Sequence, residues 1–93
     1  MVTAIISLNV ERSQINPVAE ALNNMDEISE VYSVGGRFDL VAIVRVKEND
    51  DLANLVTDKM IGLEGIQNTE TMIAFRTYSH HDLERMFSIG MDD

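Results

Sequence analysis

The alternation of hydrophobic and polar residues predicts four β-strands in this chain. A period of two, which is typical of strands, runs over residues 2–10 and again over residues 28–34. Residues 38–46 are almost wholly apolar and β-branched, which predicts a strand buried on both faces and central in its sheet. Alternation returns over residues 67–78, where apolar side chains fall on both faces of the predicted strand.

Between these strands the hydrophobic period lengthens to that of a helix. Residues 14–24 carry apolar side chains at i, i+3, i+4 and i+7, which is one face of a helix. A second helix begins at a cap, Asn49 or Asp50. Gly62 and Gly65 end it. Its apolar stripe has one polar member, Lys59.

The element order β-α-β-β-α-β predicts an α+β fold of the ferredoxin-like class. With right-handed crossovers, this order gives a four-stranded antiparallel sheet with both helices on one face. The other face needs a partner, and a second copy of the chain is the simplest one. We expect residues 1–78 to form the domain. Residues 79–93 form a C-terminal appendage whose apolar pattern predicts a short helix.

Length and charge narrow the classes of function. A chain of 93 residues supports one small core, so association with other subunits is an expected source of stability. The formal net charge of −9 argues against direct binding to nucleic acid or to an anionic membrane. The sequence has no cysteine, no signal peptide and no apolar run of transmembrane length. These features favour a cytoplasmic protein.

Motifs for catalysis and for cofactors are absent from the sequence. It has no cysteine nucleophile, no G-x-S-x-G elbow and no phosphate-binding P-loop. The pair His80-His81 is the one acid–base or metal candidate, and a metal would need a third ligand from elsewhere. We therefore predict no catalytic residues, no metal site and no cofactor.

Two short motifs resemble those of a known family. The run VGGRFDLV at residues 34–41 resembles the G-x-[YF]-D signature of the Lrp/AsnC ligand-binding domain, also called the RAM domain. The run LEGIQNTET at residues 63–71 is similar to that family's L-x-G-V-x-x-T-x-T. The motifs flank the second predicted helix, and the resemblance extends over about residues 2–78.

The resemblance implies a homo-oligomer that binds a small effector, typically an amino acid. Family domains pair through their sheets into dimers, and the dimers assemble into rings, commonly octamers or decamers. The effector lies between dimers, at the glycine turn and the threonine strand. Carried over to this chain, the ligand-binding residues are Gly36, Arg37, Phe38, Asp39, Thr69, Thr71 and Met72.

The resemblance also bears on how the chain acts. Family members usually carry an N-terminal helix-turn-helix, whereas this sequence opens directly on the first strand. We therefore expect a stand-alone form without a DNA-binding part. We expect such a domain to modulate transcription by joining full-length Lrp/AsnC regulators.

Each candidate site residue also has a purely structural interpretation. Gly36 is suited to a hairpin turn as well as to close approach of a ligand. Asp39 can accept backbone hydrogen bonds as readily as it can bind an ammonium group. Thr69 and Thr71 are good strand formers. Arg37 is able to bind a carboxylate, but its place in the motif does not require this.

Two other functions are open at this point. One is a dimeric α+β-barrel enzyme that acts on a small hydrophobic substrate, with His80 or His81 as its base. It requires an enclosed apolar cavity inside each subunit, with a histidine at the wall. The other is an assembly protein without a ligand. Fold alone does not decide between these functions.

Overall fold

The computed structural model describes residues 1–78 as a single sheet with helices on one side. The predicted appendage, with its helix and with His80 and His81, lies outside the described residues. Four strands and two α-helices make up the described part: β1 (Val2–Val10), α1 (Ile15–Asn23), β2 (Ile28–Ser33), β3 (Leu40–Val46), α2 (Asn49–Asn54) and β4 (Ile66–Ala74).

The sheet has the strand order β2-β3-β1-β4, and all neighbouring strands are antiparallel. Leu8, near the end of the inner strand β1, pairs with Leu40 of β3 on one side and with Thr69 of β4 on the other. The arrangement confirms the ferredoxin-like fold, and it confirms that β3 is an inner strand.

Alternation along the strands explains where the core lies. Ala4, Ile6 and Leu8 of β1 are fully buried beneath the helices. They pack with Val18 and Leu22, which lie four residues apart on the inner face of α1. The remaining buried members of this cluster come from the end of β1, from β2 and β3, and from the second helical segment: Val10, Ile28, Leu40, Ala42, Val44, Val46, Leu52, Leu55 and Met60.

The second helical segment differs from the regular helix that the sequence predicts. Helix α2 is six residues long and passes into a π-helical turn, Leu55–Lys59, and then a 3₁₀ turn, Met60–Gly62. The predicted cap at Asn49 or Asp50 is wrong by one residue, because the N-cap is Glu48. The Glu48 N–H donates to Asp51 Oδ2 at 3.1 Å, which positions the start of the helix one residue earlier.

The last strand is shorter than predicted. It ends at Ala74, whereas the hydrophobic alternation continues to residue 78. Ala74 pairs with Thr3, so β1 has only one residue, Val2, left beside the segment that follows. Phe75, the first residue beyond the strand, is fully exposed.

Candidate functional site

The loop between β2 and β3 contains the glycine motif. The Val34 N–H donates to the Asp39 carbonyl at 3.0 Å, which closes the loop at its base. Gly36 has a φ of +106°, and a Cβ there would have no atom within 4 Å. Glycine is therefore needed at this position for the backbone conformation and not for space.

Asp39 attaches this loop to the end of β1. Its Oδ2 accepts a hydrogen bond from the Val10 N–H at 2.8 Å, and its own N–H donates to the Leu8 carbonyl at 2.9 Å. The register between β1 and β4 shifts at Asn9 and Val10, so the carboxylate pairs with a backbone donor at an irregular point of the sheet. Asp39 thus has a structural role, because its carboxylate accepts a hydrogen bond from a backbone N–H group.

Asn9 connects the same loop to β4. Its Nδ2 donates to the Arg37 carbonyl at 2.7 Å, and Asn68 Nδ2 of β4 approaches Asn9 Oδ1 at 3.5 Å. On the loop, the Arg37 guanidinium lies 5.9 Å from the centre of the Phe38 ring. The glycine loop and the start of β4 therefore meet at one end of the sheet, on either side of the end of β1.

The predicted residues of β4 lie on two faces of the sheet. Thr69 pairs with Leu8 and Thr71 with Ile6, so both hydroxyls lie on the helix-bearing face. Both threonines are nevertheless exposed, since β4 is an edge strand that the helices leave uncovered. Met72 pairs with Ile5 on the opposite face. The structure therefore places Thr69 at the same end of the sheet as the glycine loop, and Met72 on the opposite face.

A groove beside Thr69 was not predicted from the sequence. It has a volume of about 400 Å³ and lies between the second helical segment and the start of β4. Its lining residues are Val56, Met60, Ile61, Leu63, Ile66, Gln67, Asn68 and Thr69. The one sequence signal for it is Ile61, an apolar residue outside the helical stripe, and its side chain is 78% exposed.

An ion pair braces the helical wall of this groove. The Lys59 ammonium, at the end of the π-helical turn, donates to Glu27 Oε2 just before β2. The hydrogen bond to Lys59 lowers the pKa of Glu27, and the same bond raises the pKa of Lys59. Within residues 1–78, Glu27 Oε1 is buried without a hydrogen-bond partner. Lys59, the polar member of the predicted stripe, thus fixes the wall that carries Val56 and Met60.

Over residues 1–78, no three side chains of metal-binding type come together. The helices of the same region are too short or too polar to cross a bilayer.

Comparisons with known proteins agree on one family. The sequence profile described as the Lrp/AsnC ligand binding domain matches residues 3–83. A helix-turn-helix transcriptional regulator of Bacillus subtilis, YugG, is 30% identical over 99% of this chain and 56% of its own length. The regulator FL11 of Pyrococcus furiosus is 32% identical over 83% of this chain and 50% of its length. The chain thus spans about half the length of the curated relatives it matches.

Solved structures share the fold. The crystal structure of TTHA0845 from Thermus thermophilus is 39% identical, with a TM-score of 0.81, and the match covers 86% of this chain and all of that one. A feast or famine regulatory protein of M. tuberculosis, solved with L-methionine, shares the fold at 24% identity, with a TM-score of 0.71 and coverage of 86% and 54%. The profile match and the helix-turn-helix relatives show that the chain belongs to the Lrp/AsnC ligand-binding domain family.

Proposed function

We propose that this chain binds a small metabolite, an amino acid, at the interface between subunits of a homo-oligomer. Through that assembly it modulates transcription together with full-length Lrp/AsnC regulators in the cytoplasm. The observation that carries the proposal is that the glycine loop and Thr69 are both exposed at the same end of the sheet. The curated relatives are named as transcriptional regulators, which supports a binding role over a catalytic one.

The groups at this end of the sheet suit a zwitterion. An amino acid needs hydrogen-bond donors for its carboxylate and an acceptor for its ammonium group. The exposed backbone of Gly36 and Arg37 and the Thr69 hydroxyl supply donors. A carboxylate has about four acceptor sites, so the bond from Val10 leaves Asp39 able to accept from an ammonium group.

The spacing of these groups supports a site shared between subunits. Leu40, which follows the glycine loop, and Thr69 flank Leu8, so two interstrand gaps separate them. Each gap is about 4.8 Å, and the main-chain groups of one amino acid do not reach across both. A neighbouring subunit that places its own loop against Thr69 and Thr71 completes the site at shorter range.

The uncovered face of the sheet supports the assembly. Ile5, Val41 and Ile43 lie side by side there and are half-buried, and Met72 beside them is 49% exposed. An exposed apolar patch with a polar rim is typical of a protein interface. We propose that two copies pack sheet to sheet through this patch, with Met72 in the interface. Such dimers assemble into an octamer or a decamer.

The alternative of a barrel enzyme lacks support among residues 1–78. That function requires an enclosed apolar cavity with a histidine at its wall. The groove beside Thr69 is open at the sheet edge and not enclosed, and its lining contains no titratable side chain.

A thermal-shift screen tests ligand binding. The 93-residue chain is heated with each of the twenty amino acids at millimolar concentration. At a hundred times its dissociation constant, a ligand stabilises the folded state by about 2.7 kcal/mol. Thr69→Val should remove the shift, because it deletes the hydroxyl and preserves the shape. Thr77→Val, beyond the end of β4, is the matched control. Absence of a shift with all twenty amino acids would refute the proposed effector.

Light scattering tests the assembly separately. Ile43→Asp places a charge in the middle of the apolar patch and should convert the oligomer to monomers. Ile73→Asp makes the same change on the other face, where Ile73 pairs with Ala4 and is 51% exposed. This control should leave sheet-to-sheet dimers intact. A wild-type chain that is monomeric at micromolar concentration contradicts the proposed oligomer.

A further inference from the structure

The groove beside Thr69 is uncharged in a strongly charged protein. Acidic and basic residues make up 25% of the chain, yet all eight lining residues are neutral. Five of them are apolar and form the helical side and the floor: Val56, Met60, Ile61, Leu63 and Ile66. The three polar ones, Gln67, Asn68 and Thr69, are consecutive on β4. The groove thus has one apolar side and one hydrogen-bonding side.

Its size suits part of a small molecule. The volume of about 400 Å³ lies in the range of about 300–1,000 Å³ that small-molecule sites occupy. Thr69 belongs both to this groove and to the proposed effector site. A ligand whose main-chain groups bind Thr69 therefore has the apolar side of the groove within reach of its side chain.

A charged side chain is poorly accommodated in this groove. An ammonium or carboxylate group that enters an apolar site loses hydration, and a partner charge must compensate for that loss. The lining offers no such partner. Lys59, which precedes the lining residue Met60 in the chain, is already paired with Glu27.

From these observations we infer that the groove selects effectors with apolar, uncharged side chains, and that Val56, Met60 and Ile61 determine this specificity. The inference rests on the proposed function, since it assigns the side-chain part of the same effector. The inferred preference for an uncharged side chain differs from the one that the net charge of the chain would produce. A net charge of −9 favours cationic ligands in general, so a preference for a neutral side chain has to arise in the groove itself.

A matched pair of amino acids tests the inference by titration calorimetry. L-norleucine and L-lysine have side chains with the same four-carbon chain, and L-lysine adds a terminal ammonium group. We expect norleucine to bind at least tenfold more tightly, and L-leucine to exceed L-aspartate by a similar factor. Equal or tighter binding of lysine or aspartate overturns the inference and leaves the proposed function standing. Failure of all twenty amino acids and norleucine to bind overturns both.

Two variants locate the selectivity in the groove. Val56→Thr is nearly isosteric and should weaken norleucine binding several-fold, because it places a hydroxyl in the apolar wall. Val2→Thr, at the opposite end of β1 and also half-buried, is the control. Ile61→Glu at the exposed rim should narrow the preference for norleucine over lysine. If Val56→Thr kept the wild-type affinity for norleucine and Ile61→Glu kept the wild-type preference for norleucine over lysine, selection would have to occur elsewhere. That result would overturn the assignment.

Discussion

Replacing Gly65 by alanine tests how closely the loop before β4 packs on α1. Gly65 has a φ of +99°, and a Cβ built there would lie 2.5 Å from Gln14 Cβ and 2.9 Å from Gln14 Cγ. Val18 Cγ2 is 3.6 Å away on the same side. Rotating the Gln14 side chain does not relieve the overlap, because its Cβ is fixed by the backbone.

A hydrogen bond also holds the backbone of Gly65 in place. The Glu11 N–H donates to the Gly65 carbonyl at 2.8 Å, which ties the loop to the end of β1. The added methyl group therefore has to displace either this bond or the start of α1. Overpacking of this kind costs about 1–3 kcal/mol.

Two other contributions act on the same variant. An L-residue in this positive-φ region costs about 1–2 kcal/mol. Loss of chain entropy in the unfolded state offsets about 0.4–1 kcal/mol of that cost. Taken together with the overlap, Gly65→Ala should lower the free energy of unfolding by about 2–4 kcal/mol.

Two matched glycines separate the contributions. Gly36 has a similar φ of +106° but open space around it, so Gly36→Ala carries the backbone cost alone, about 0.5–1 kcal/mol. Gly62 has neither a positive φ nor a close neighbour, and Gly62→Ala should be neutral or slightly stabilising. Urea unfolding followed by circular dichroism, at one protein concentration, measures all three. If Gly65→Ala and Gly36→Ala agree within about 0.5 kcal/mol, the steric argument fails.

Two further predictions concern polar contacts. Asp39→Ala should lower the free energy of unfolding by about 1–3 kcal/mol, because the partly buried Val10 N–H loses its acceptor. Asp39→Asn, which retains an acceptor, should lose less than half as much in the same urea assay. Glu27→Gln should destabilise the protein at neutral pH, since the pKa of Glu27 is lowered by Lys59 and its ionised form therefore stabilises the fold above the unfolded-state value of 4.5. That contribution is lost as the pH falls from 4.5 through the lower folded-state pKa, so the gap between the melting temperatures of wild type and variant should narrow steadily below pH 4.5; a gap that does not narrow on acidification contradicts the ion-pair explanation.

Hydrophobic periodicity predicted the strands and helices that bury one face, with buried side chains at regular intervals. Strand β1 has the predicted bounds, and α1 differs from its prediction by one residue at each end. In both, the buried side chains recur at the period of the element. Strand β4 was predicted too long because pattern alone carries no information on pairing partners. Its length depends on where β1 begins, and that is a contact across most of the chain.

Only part of the candidate site could be predicted from the sequence, for a similar reason. The motifs indicated the glycine loop and Thr69, which the structure places at one end of the sheet. The groove depends on the π-helical turn Leu55–Lys59, which adds a residue to one turn of the segment. Leu52, Leu55 and Val56 fit an ordinary helical stripe equally well, so periodicity did not reveal the turn. The Glu27–Lys59 pair that braces the turn joins residues far apart in the sequence.

The strand order also has a consequence for synthesis on the ribosome. Strand β1 is translated first, yet both of its partners, β3 and β4, come later in the chain. At about 5–20 residues per second, the apolar segment VTAIISLNV waits roughly 2–7 s before β3 follows it. During that interval a nascent chain presents an unpaired β-branched strand that is prone to aggregation. Slower translation between β1 and β3 should therefore reduce the yield of soluble protein.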